Sequence, residues 1–141
     1  MPMRNSRFIQ YMLPGGWIVL AGRTDADNDS LSLKIADPND WWFHVRGLPG
    51  SHVILQARPG EEPDRATLKR AAAIAAYHSK ARTAGLVPVS CTRARYVTKP
   101  RGAKPGTVEI RKESILKVRP ELAGAVAGNH NDPPLDVEDA R

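Results

Sequence analysis

One long segment of this chain has the pattern of a helix, whereas the apolar runs outside it are short and bounded by turn residues. The helical segment extends from Asp64 to about Thr83, with Asp64 placed to cap the first turn and alanines in the interior. Its small and apolar residues recur every three or four positions, which predicts a face that packs closely against a sheet. The pattern therefore favours one long helix on a sheet.

The short apolar runs are typical of β-strands. Arg7–Gly22 predicts a hairpin around Pro14–Gly16, and Leu31–Ala36 fits either a short strand or one helical turn. The other predicted strands are Trp41–Val45, His52–Arg58, Val87–Thr92, Arg95–Thr98, Val108–Arg111 and Ser114–Val118.

A chain of 141 residues has room for a single domain. We expect an α+β fold over residues 1–119, with a mixed or antiparallel sheet and one long helix packed on it. An acidic, disordered tail is predicted over residues 120–141, because its composition is poor in large apolar residues.

Positive charge is concentrated in the middle of the chain. The net charge is +6, and residues 61–120 hold fourteen Lys and Arg against five Asp and Glu. The first sixty residues hold six against five, and the last twenty-one hold one against five. Clustered cations on a small domain indicate a polyanionic partner, most often a nucleic acid. A solvated basic face that only keeps the protein soluble is the alternative.

The basic region favours RNA over DNA. From Lys80 to Arg119 there are eleven cations and two carboxylates, with Tyr96 among them. Lys99–Gly106 has three cations, two prolines and two glycines, which predicts a stiff, exposed loop. Cations interleaved with an aromatic residue are typical of surfaces that bind single-stranded or structured RNA. The chain contains no helix-turn-helix, zinc-finger or RNP1 pattern.

The segment Asp40–His52 holds the densest group of chemically active side chains. Alternation along a strand would place two sets on opposite faces: Trp42, His44 and Arg46 on one, and Trp41, Phe43 and Val45 on the other. The first set could stack on a base and bind its phosphate. Gly50-Ser51-His52 offers backbone N–H groups to a phosphate or sugar. In the alternative interpretation, Trp42 closes the core and His44 hydrogen-bonds a backbone carbonyl.

Metal and cofactor chemistry is not expected. His44, His52 and His78 could converge with Asp40 or Cys91, but the closely spaced ligand pair typical of structural zinc sites is missing. Cys91 is the single cysteine, which excludes an internal disulfide. In a strand-like segment such a cysteine is more typical of a small buried hydrophobe than of a nucleophile.

A cytoplasmic location is predicted. No apolar run reaches the roughly 18 residues that a membrane-spanning helix needs, and no secretory signal is visible. A lone cysteine also fits a reducing compartment.

Four blocks of residues, in order and spacing, resemble the NFACT-R domain. They are G-R-x-x-x-x-N-D from Gly22, D-x-W-F-H-V-R-G-x-P-G-S-H-V from Asp40, A-Y-H-S-K-A-R from Ala76, and V-x-K-P-x-G-A-K-P-G-x-V from Val97. This domain is the RNA-binding module of fibronectin-binding-protein-like factors in ribosome-associated quality control. The resemblance covers residues 7–119.

The resemblance implies a stand-alone bacterial version of this module. It implies RNA as the partner, with tRNA or rRNA on or near the large ribosomal subunit, and neither a cofactor nor catalysis. Peptide tailing by full-length relatives is not expected of the module alone. His78 stands where the family often has a second aromatic residue. The candidate RNA-contacting residues are Arg23, Asn28, His44, Arg46, Ser51, His52, Lys80, Lys99 and Lys104.

Within this set, roles follow from side-chain chemistry. Four of the five cations are expected at phosphates: Arg46, Lys80, Lys99 and Lys104. His44 and His52 are expected at phosphates or 2′-hydroxyls, and Asn28 either holds a loop or reads a base edge. Two other functions stay open. One is an RNA-processing or RNA-modifying enzyme, or its accessory subunit, using His44, His52 and Asp40 as acid-base groups. The other is a DNA-binding module.

Overall fold

A seven-stranded antiparallel sheet forms the centre of the computed structural model, which describes residues 8–122 and 126–127. The strands are β1 (Phe8–Leu13), β2 (Trp17–Gly22), β3 (Trp41–Val45), β4 (Val53–Leu55), β5 (Val87–Arg93), β6 (Val97–Thr98), β7 (Glu109–Ile110), β8 (Ser114–Val118) and β9 (Val126–Ala127). Their order in the main sheet is β8-β5-β3-β4-β2-β1-β9, and β6 pairs with β7 in a separate ribbon. The antiparallel alternative of the predicted α+β fold is thereby confirmed.

The prediction of one long helix is wrong. Helix α2 covers Arg65–Tyr77, only 13 residues, and a second short helix, α1, covers Asp25–Ser30. The last turns predicted for α2 are not helical, because the backbone there forms hydrogen bonds with another segment. The Ser51 N–H donates to the carbonyl of His78 at 2.9 Å, and the Lys80 N–H donates to the carbonyl of Pro49 at 3.0 Å. These tertiary hydrogen bonds replace the continuing helical ones.

Several predicted strands are shorter than expected. Only Val53–Leu55 of the run His52–Arg58 is a strand. The start of Arg95–Thr98 lies in a 3₁₀ turn, Ala94–Tyr96, ahead of β6. The ambiguous segment after α1 is a π-helical turn, Leu31–Ile35. The hairpin β1–β2 and strand β3 form as predicted.

Part of the chain beyond residue 119 packs against the domain. Leu122 is buried in the core, and Val126–Ala127 pairs with β1. The rest of the predicted acidic tail, residues 123–125 and 128–141, lies outside the described residues. No helix in the described part of the chain combines the length and apolar character needed to cross a membrane.

Two buried clusters pack on opposite faces of the sheet. Phe43 and Val45 join the cluster beneath α2, where the alanines on the inner face of the helix are fully buried. Trp42 joins the other cluster, beneath the π-helical turn and the β6–β7 ribbon. The predicted alternation along β3 is therefore present. Of the two roles open to Trp42, the structure assigns packing in the core, because its side chain is 3% exposed.

Cys91 is a core residue on β5. It is 4% exposed, and burial raises the pKa of its thiol to about 12. The cysteine is thus a neutral packing residue at physiological pH, as its strand context predicted.

Phe43→Ala tests the cluster beneath α2. Phe43 is fully buried, so we expect the free energy of unfolding to fall by about 3–5 kcal/mol, from lost burial and the cavity left behind. Urea unfolding followed by tryptophan fluorescence measures the change. Leu86→Ala, at a residue that is 62% exposed, is the control and should stay within about 0.5 kcal/mol of the parent. Equal effects of the two changes would contradict this account of the core.

Candidate nucleic-acid interface

An open groove lies where the end of α2 meets the segment before β4. We call it the helix-end groove, and its volume is about 440 Å³. It brings together four of the predicted contact residues from separate parts of the chain. Its lining consists of Arg23, Thr24, Asp25, Asn28, Pro49, Gly50, Ser51, Tyr77, His78, Ser79, Lys80 and Arg82.

Close backbone contact builds the floor of this groove. A side chain at Gly50 would place its Cβ 2.7 Å from Cβ of Ser79 and 3.1 Å from its Cα. Glycine is therefore required for the two segments to approach and exchange hydrogen bonds. The Ser51 hydroxyl donates to the carbonyl of Gly22 at 2.7 Å, which ties the floor to β2.

Asn28 forms the groove wall on the α1 side. Its Oδ1 accepts from the His52 N–H at 3.0 Å, and a Cβ on Gly22 would lie 2.1 Å from that oxygen. Asn28 thus holds α1 against β2 and β4, the first of the two roles predicted for it. The amide nitrogen of Asn28 makes no hydrogen bond to any residue that the structure describes. That nitrogen remains a donor available to a ligand in the groove.

Arg82 is a groove residue that the sequence interpretation missed. Its guanidinium carbon lies 4.0 Å from the centre of the Tyr77 ring, and its Nε–H donates to the carbonyl of Tyr77 at 2.8 Å. On a continuing helix, residues 77 and 82 would point about 140° apart. They meet only because α2 ends at Tyr77.

His78 lines the groove and is close enough to Arg82 and Arg23 to feel their charges. Its Nε2 is 2.7 Å from the Tyr11 hydroxyl. Burial, followed by the nearby charges of Arg82 and Arg23, lowers the pKa of His78 to about 4. The imidazole is therefore neutral at pH 7, and the positive charge of the groove comes from its arginines and Lys80.

A second, smaller depression of about 260 Å³ contains His44, Arg46 and His52. We call it the histidine cleft. The rings of His44 and His52 lie edge to face with centroids 5.3 Å apart. Burial lowers the pKa of His44. The rest of the cleft is lined by Trp42, Val45, Gly47, Ser90, Gly106, Thr107, Val108 and Ile110.

His52 is buried and its ring is bonded on both sides. Nδ1 lies 2.8 Å from the Ser32 hydroxyl, and Nε2 lies 3.2 Å from the carbonyl of Gly106. Ser32 also accepts from the Trp42 indole N–H at 2.9 Å. Since a carbonyl only accepts, the neutral tautomer that satisfies every atom carries its proton on Nε2. The ring of His52 therefore binds the loop at Gly106 and leaves neither nitrogen for a ligand.

Arg46 is exposed but shares its charge with a carboxylate. Its Nε lies 3.5 Å from Oε2 of Glu113, and the same oxygen accepts from the Ser90 hydroxyl. Glu113 is far away in sequence and was not anticipated. Its negative charge lowers the attraction of Arg46 for a phosphate.

The basic loop Lys99–Gly106 is closed by its own first residue. Lys99 Nζ lies 3.0 Å from Oδ2 of Asp29 and donates to the carbonyls of Lys104 and Thr107. Oδ1 of Asp29 accepts from the Gly106 N–H at 3.0 Å. Lys99 is therefore mainly a brace, whereas Lys104 stays exposed without a side-chain partner among the described residues.

The two depressions meet along this loop. Asp25 lines the helix-end groove, and its carboxylate lies within 2.9 Å of where a Cβ on Gly106 would stand. Gly106 in turn lines the histidine cleft. The groove, the loop and the cleft therefore adjoin one another.

Asp40 stands apart from the histidines. Its carboxylate oxygens accept from the N–H groups of Asp37 and Ala57 at 2.9 and 2.8 Å. Burial raises the pKa of Asp40. Asp40 precedes His44 by four positions along extended chain, a distance of about 13 Å. Asp40 acts as a cap of the turn, and the trio proposed for acid-base catalysis is not assembled.

Potential metal ligands do not cluster either. Across residues 8–122 and 126–127, no three His, Cys, Asp or Glu side chains come together in an arrangement that could hold a metal ion.

Relatives of this chain exist among known proteins. The profile of the family described as NFACT protein RNA binding domain matches residues 7–112. The Rqc2 homolog RqcH of Bacillus subtilis is 40% identical over 111 residues, which are 79% of this chain and 19% of that protein. The protein of the same name from Streptococcus suis is 40% identical over 106 residues, 75% of this chain and 19% of that protein. The chain spans about a fifth of the length of these curated relatives.

A solved structure has the same fold. It is the C-terminal part of the fibronectin/fibrinogen-binding protein from Streptococcus suis, with a TM-score of 0.77 and 36% sequence identity. The match covers 84% of this chain and 47% of that chain.

Asp29→Ala tests the closure of the basic loop. Removing the carboxylate removes the acceptor of the Gly106 N–H and the partner of Lys99. We expect the Gly106 amide to exchange its hydrogen about tenfold faster or more, since a bond to a charged acceptor contributes about 1.5–3 kcal/mol. Hydrogen exchange followed by NMR measures it. Glu109→Ala, at an exposed carboxylate, is the control; unchanged protection of Gly106 in Asp29→Ala would refute the brace.

The buried histidines predict lower stability in mild acid. The pKa values of His52 and His78 are lowered to about 4, whereas an unfolded histidine titrates near 6.5. Between these values the unfolded chain binds more protons, so the free energy of unfolding falls as pH falls from 6.5 to 4. The loss is on the order of 3 kcal/mol per histidine.

Urea unfolding at pH 7.5, 6 and 5 measures this dependence. In His78→Gln one titrating group is gone, so the fall with pH should be smaller than in the parent. A parent chain whose unfolding midpoint does not change over this range would contradict the prediction.

Proposed function

The chain belongs to the family of NFACT protein RNA-binding domains, and from this membership we propose that it binds RNA across the helix-end groove and the basic loop. The proposal rests most directly on the distribution of unpaired charge. Arg23, Lys80, Arg82 and Lys104 are exposed, and none of them forms an ion pair with a residue that the structure describes. Such cations release condensed counterions when they meet phosphates, which drives binding.

Seven of the nine predicted contact residues then divide into two groups. Arg23, Ser51, Lys80 and Lys104 are proposed to touch RNA directly, together with Arg82. His52 and Lys99 are proposed to hold the surface in shape, because the structure bonds them internally. Asn28 does so through its side-chain oxygen, while its amide nitrogen stays available to RNA.

Arg46 and His44 lie at the border of this surface. Glu113 weakens Arg46 as a phosphate ligand, and burial keeps His44 neutral. We propose that they contribute contacts to sugar or phosphate at the edge of the interface, with smaller effects on affinity than the cations of the groove.

The RNA is proposed to be tRNA or rRNA on or near the large ribosomal subunit, in the cytoplasm. The support is the resemblance of the four sequence blocks to the RNA-binding module of ribosome-associated quality control factors, together with the relatives named Rqc2 homolog RqcH. Peptide tailing is not part of the proposal. Binding through this surface requires neither a cofactor nor a reaction.

Lys80→Ala combined with Lys104→Ala tests the proposed surface. The slope of log K against log salt concentration is negative, and each lost single-stranded phosphate contact should reduce its magnitude by about 0.7. The magnitude should therefore fall by about 1.4 in the double variant. Fluorescence anisotropy with labelled tRNA and with a large-subunit rRNA stem-loop, over a series of KCl concentrations, measures it. DNA of the same sequence should bind more weakly if sugar hydroxyls are contacted.

The matched control is Lys34→Ala combined with Lys69→Ala. Both lysines are exposed and line neither depression, but their removal changes the net charge equally. An equal reduction of the slope in the two double variants would show that RNA binding depends on net charge alone and not on this surface. An unchanged slope in the first would remove the groove and the loop from the interface.

A further inference from the structure

We infer that the helix-end groove holds one unpaired nucleotide of the bound RNA, with its base stacked on the guanidinium of Arg82 and its phosphate against Arg23 and Lys80. This inference rests on the proposed function. It goes further by assigning the groove to a nucleotide whose base is free of a helical stack, whereas the basic loop would contact the RNA backbone alone.

The first support is a preorganised stacking platform. The Arg82 guanidinium lies over the Tyr77 ring at 4.0 Å and is held by a hydrogen bond from its Nε–H to the carbonyl of Tyr77. The guanidinium therefore lies against an aromatic ring, and Arg82 is nevertheless an exposed residue that a base can reach. A base that stacks on the guanidinium extends an existing stack, so little side-chain freedom remains to be lost on binding.

The second support is the size and charge of the groove. Its volume of about 440 Å³ lies within the ~300–1,000 Å³ range of clefts that hold small ligands, which is the scale of one nucleotide. Among the described residues that line it, three cations accompany one carboxylate, Asp25. This balance favours a single phosphate rather than several.

The third support is the polar group left over for a base edge or a sugar. The amide nitrogen of Asn28 has no partner among the described residues, while its oxygen is bound to the backbone of His52. Asn28 is 4% exposed and lines the groove, so this donor is held in one orientation. A donor that has a fixed direction and is open to the groove gains a partner when a nucleotide enters.

Paired RNA cannot use this platform. In a continuous double helix both faces of each base are covered by neighbouring bases, so no face is free for Arg82. The groove therefore distinguishes an unpaired nucleotide, in a loop, a bulge or a single-stranded end, from duplex RNA.

Three RNA hairpins test the inference on the full chain; they share one stem sequence, and each is closed by a polyethylene-glycol linker in place of a nucleotide loop. The first carries a single unpaired adenosine in the stem, the second has an abasic residue at that position, and the third is fully paired. We expect the chain to bind the first about tenfold more tightly than the second, the scale of one base stacked on a side chain. The variant Arg82→Lys keeps the charge but lacks the planar group, so it should bind the first two hairpins equally.

Arg65→Lys, at an exposed arginine near the start of α2, is the matched control and should keep the tenfold difference. A second readout is 2-aminopurine at the unpaired position, whose fluorescence should be quenched by the parent and much less by Arg82→Lys. Circular dichroism of each variant shows that the fold is kept.

The outcomes separate the two proposals. If the chain binds none of the hairpins, RNA binding itself is refuted. If it binds all three equally and Arg82→Lys has no effect, RNA binding stands and the nucleotide in the groove is refuted. If Arg82→Lys weakens all three hairpins to the same extent, Arg82 is a backbone contact and the stacking assignment is refuted.

Discussion

The contact between the backbone at Gly50 and the backbone at Ser79 is the constraint on which the candidate interface depends. Hydrogen bonds from Ser51 to His78 and from Lys80 to Pro49 close this contact, and only glycine fits between the two segments. The contact ends α2, turns the chain after Tyr77 and opens the groove. Because a Cβ would collide with backbone-proximal atoms and not with a flexible side-chain end, the neighbouring segment has little room to adjust.

A chain of buried hydrogen bonds connects this surface to the core. Trp42 donates to Ser32, Ser32 to His52, and His52 to the carbonyl of Gly106. Asp29 holds the same loop from the other side through the Gly106 N–H. Fully satisfied polar networks of this kind specify one arrangement, since breaking any link leaves a buried group without a partner. The position of the exposed cations thus follows from side chains that contact no ligand themselves.

Local patterns predicted much of the fold. The β1–β2 hairpin follows from two apolar runs around Pro14–Gly16, and the division of β3 into two faces follows from strand alternation. The end of α2 could not be read in this way, because Tyr77–Arg82 has ordinary helix-forming residues. Its departure from the helix is caused by partners more than twenty-five residues away in the chain.

The sequence by itself determined the composition of the interface: a basic middle region, a Pro- and Gly-rich loop that contains Lys99 and Lys104, and a set of blocks that place the chain in its family. Tertiary structure alone decided which of these charges are available to a ligand. Asp29 forms an ion pair with Lys99, Glu113 partly neutralises the charge of Arg46, and Tyr77 orients Arg82. The physical reason is that Coulomb and hydrogen-bond interactions depend on distance in space, whereas a sequence pattern reports only neighbours along the chain.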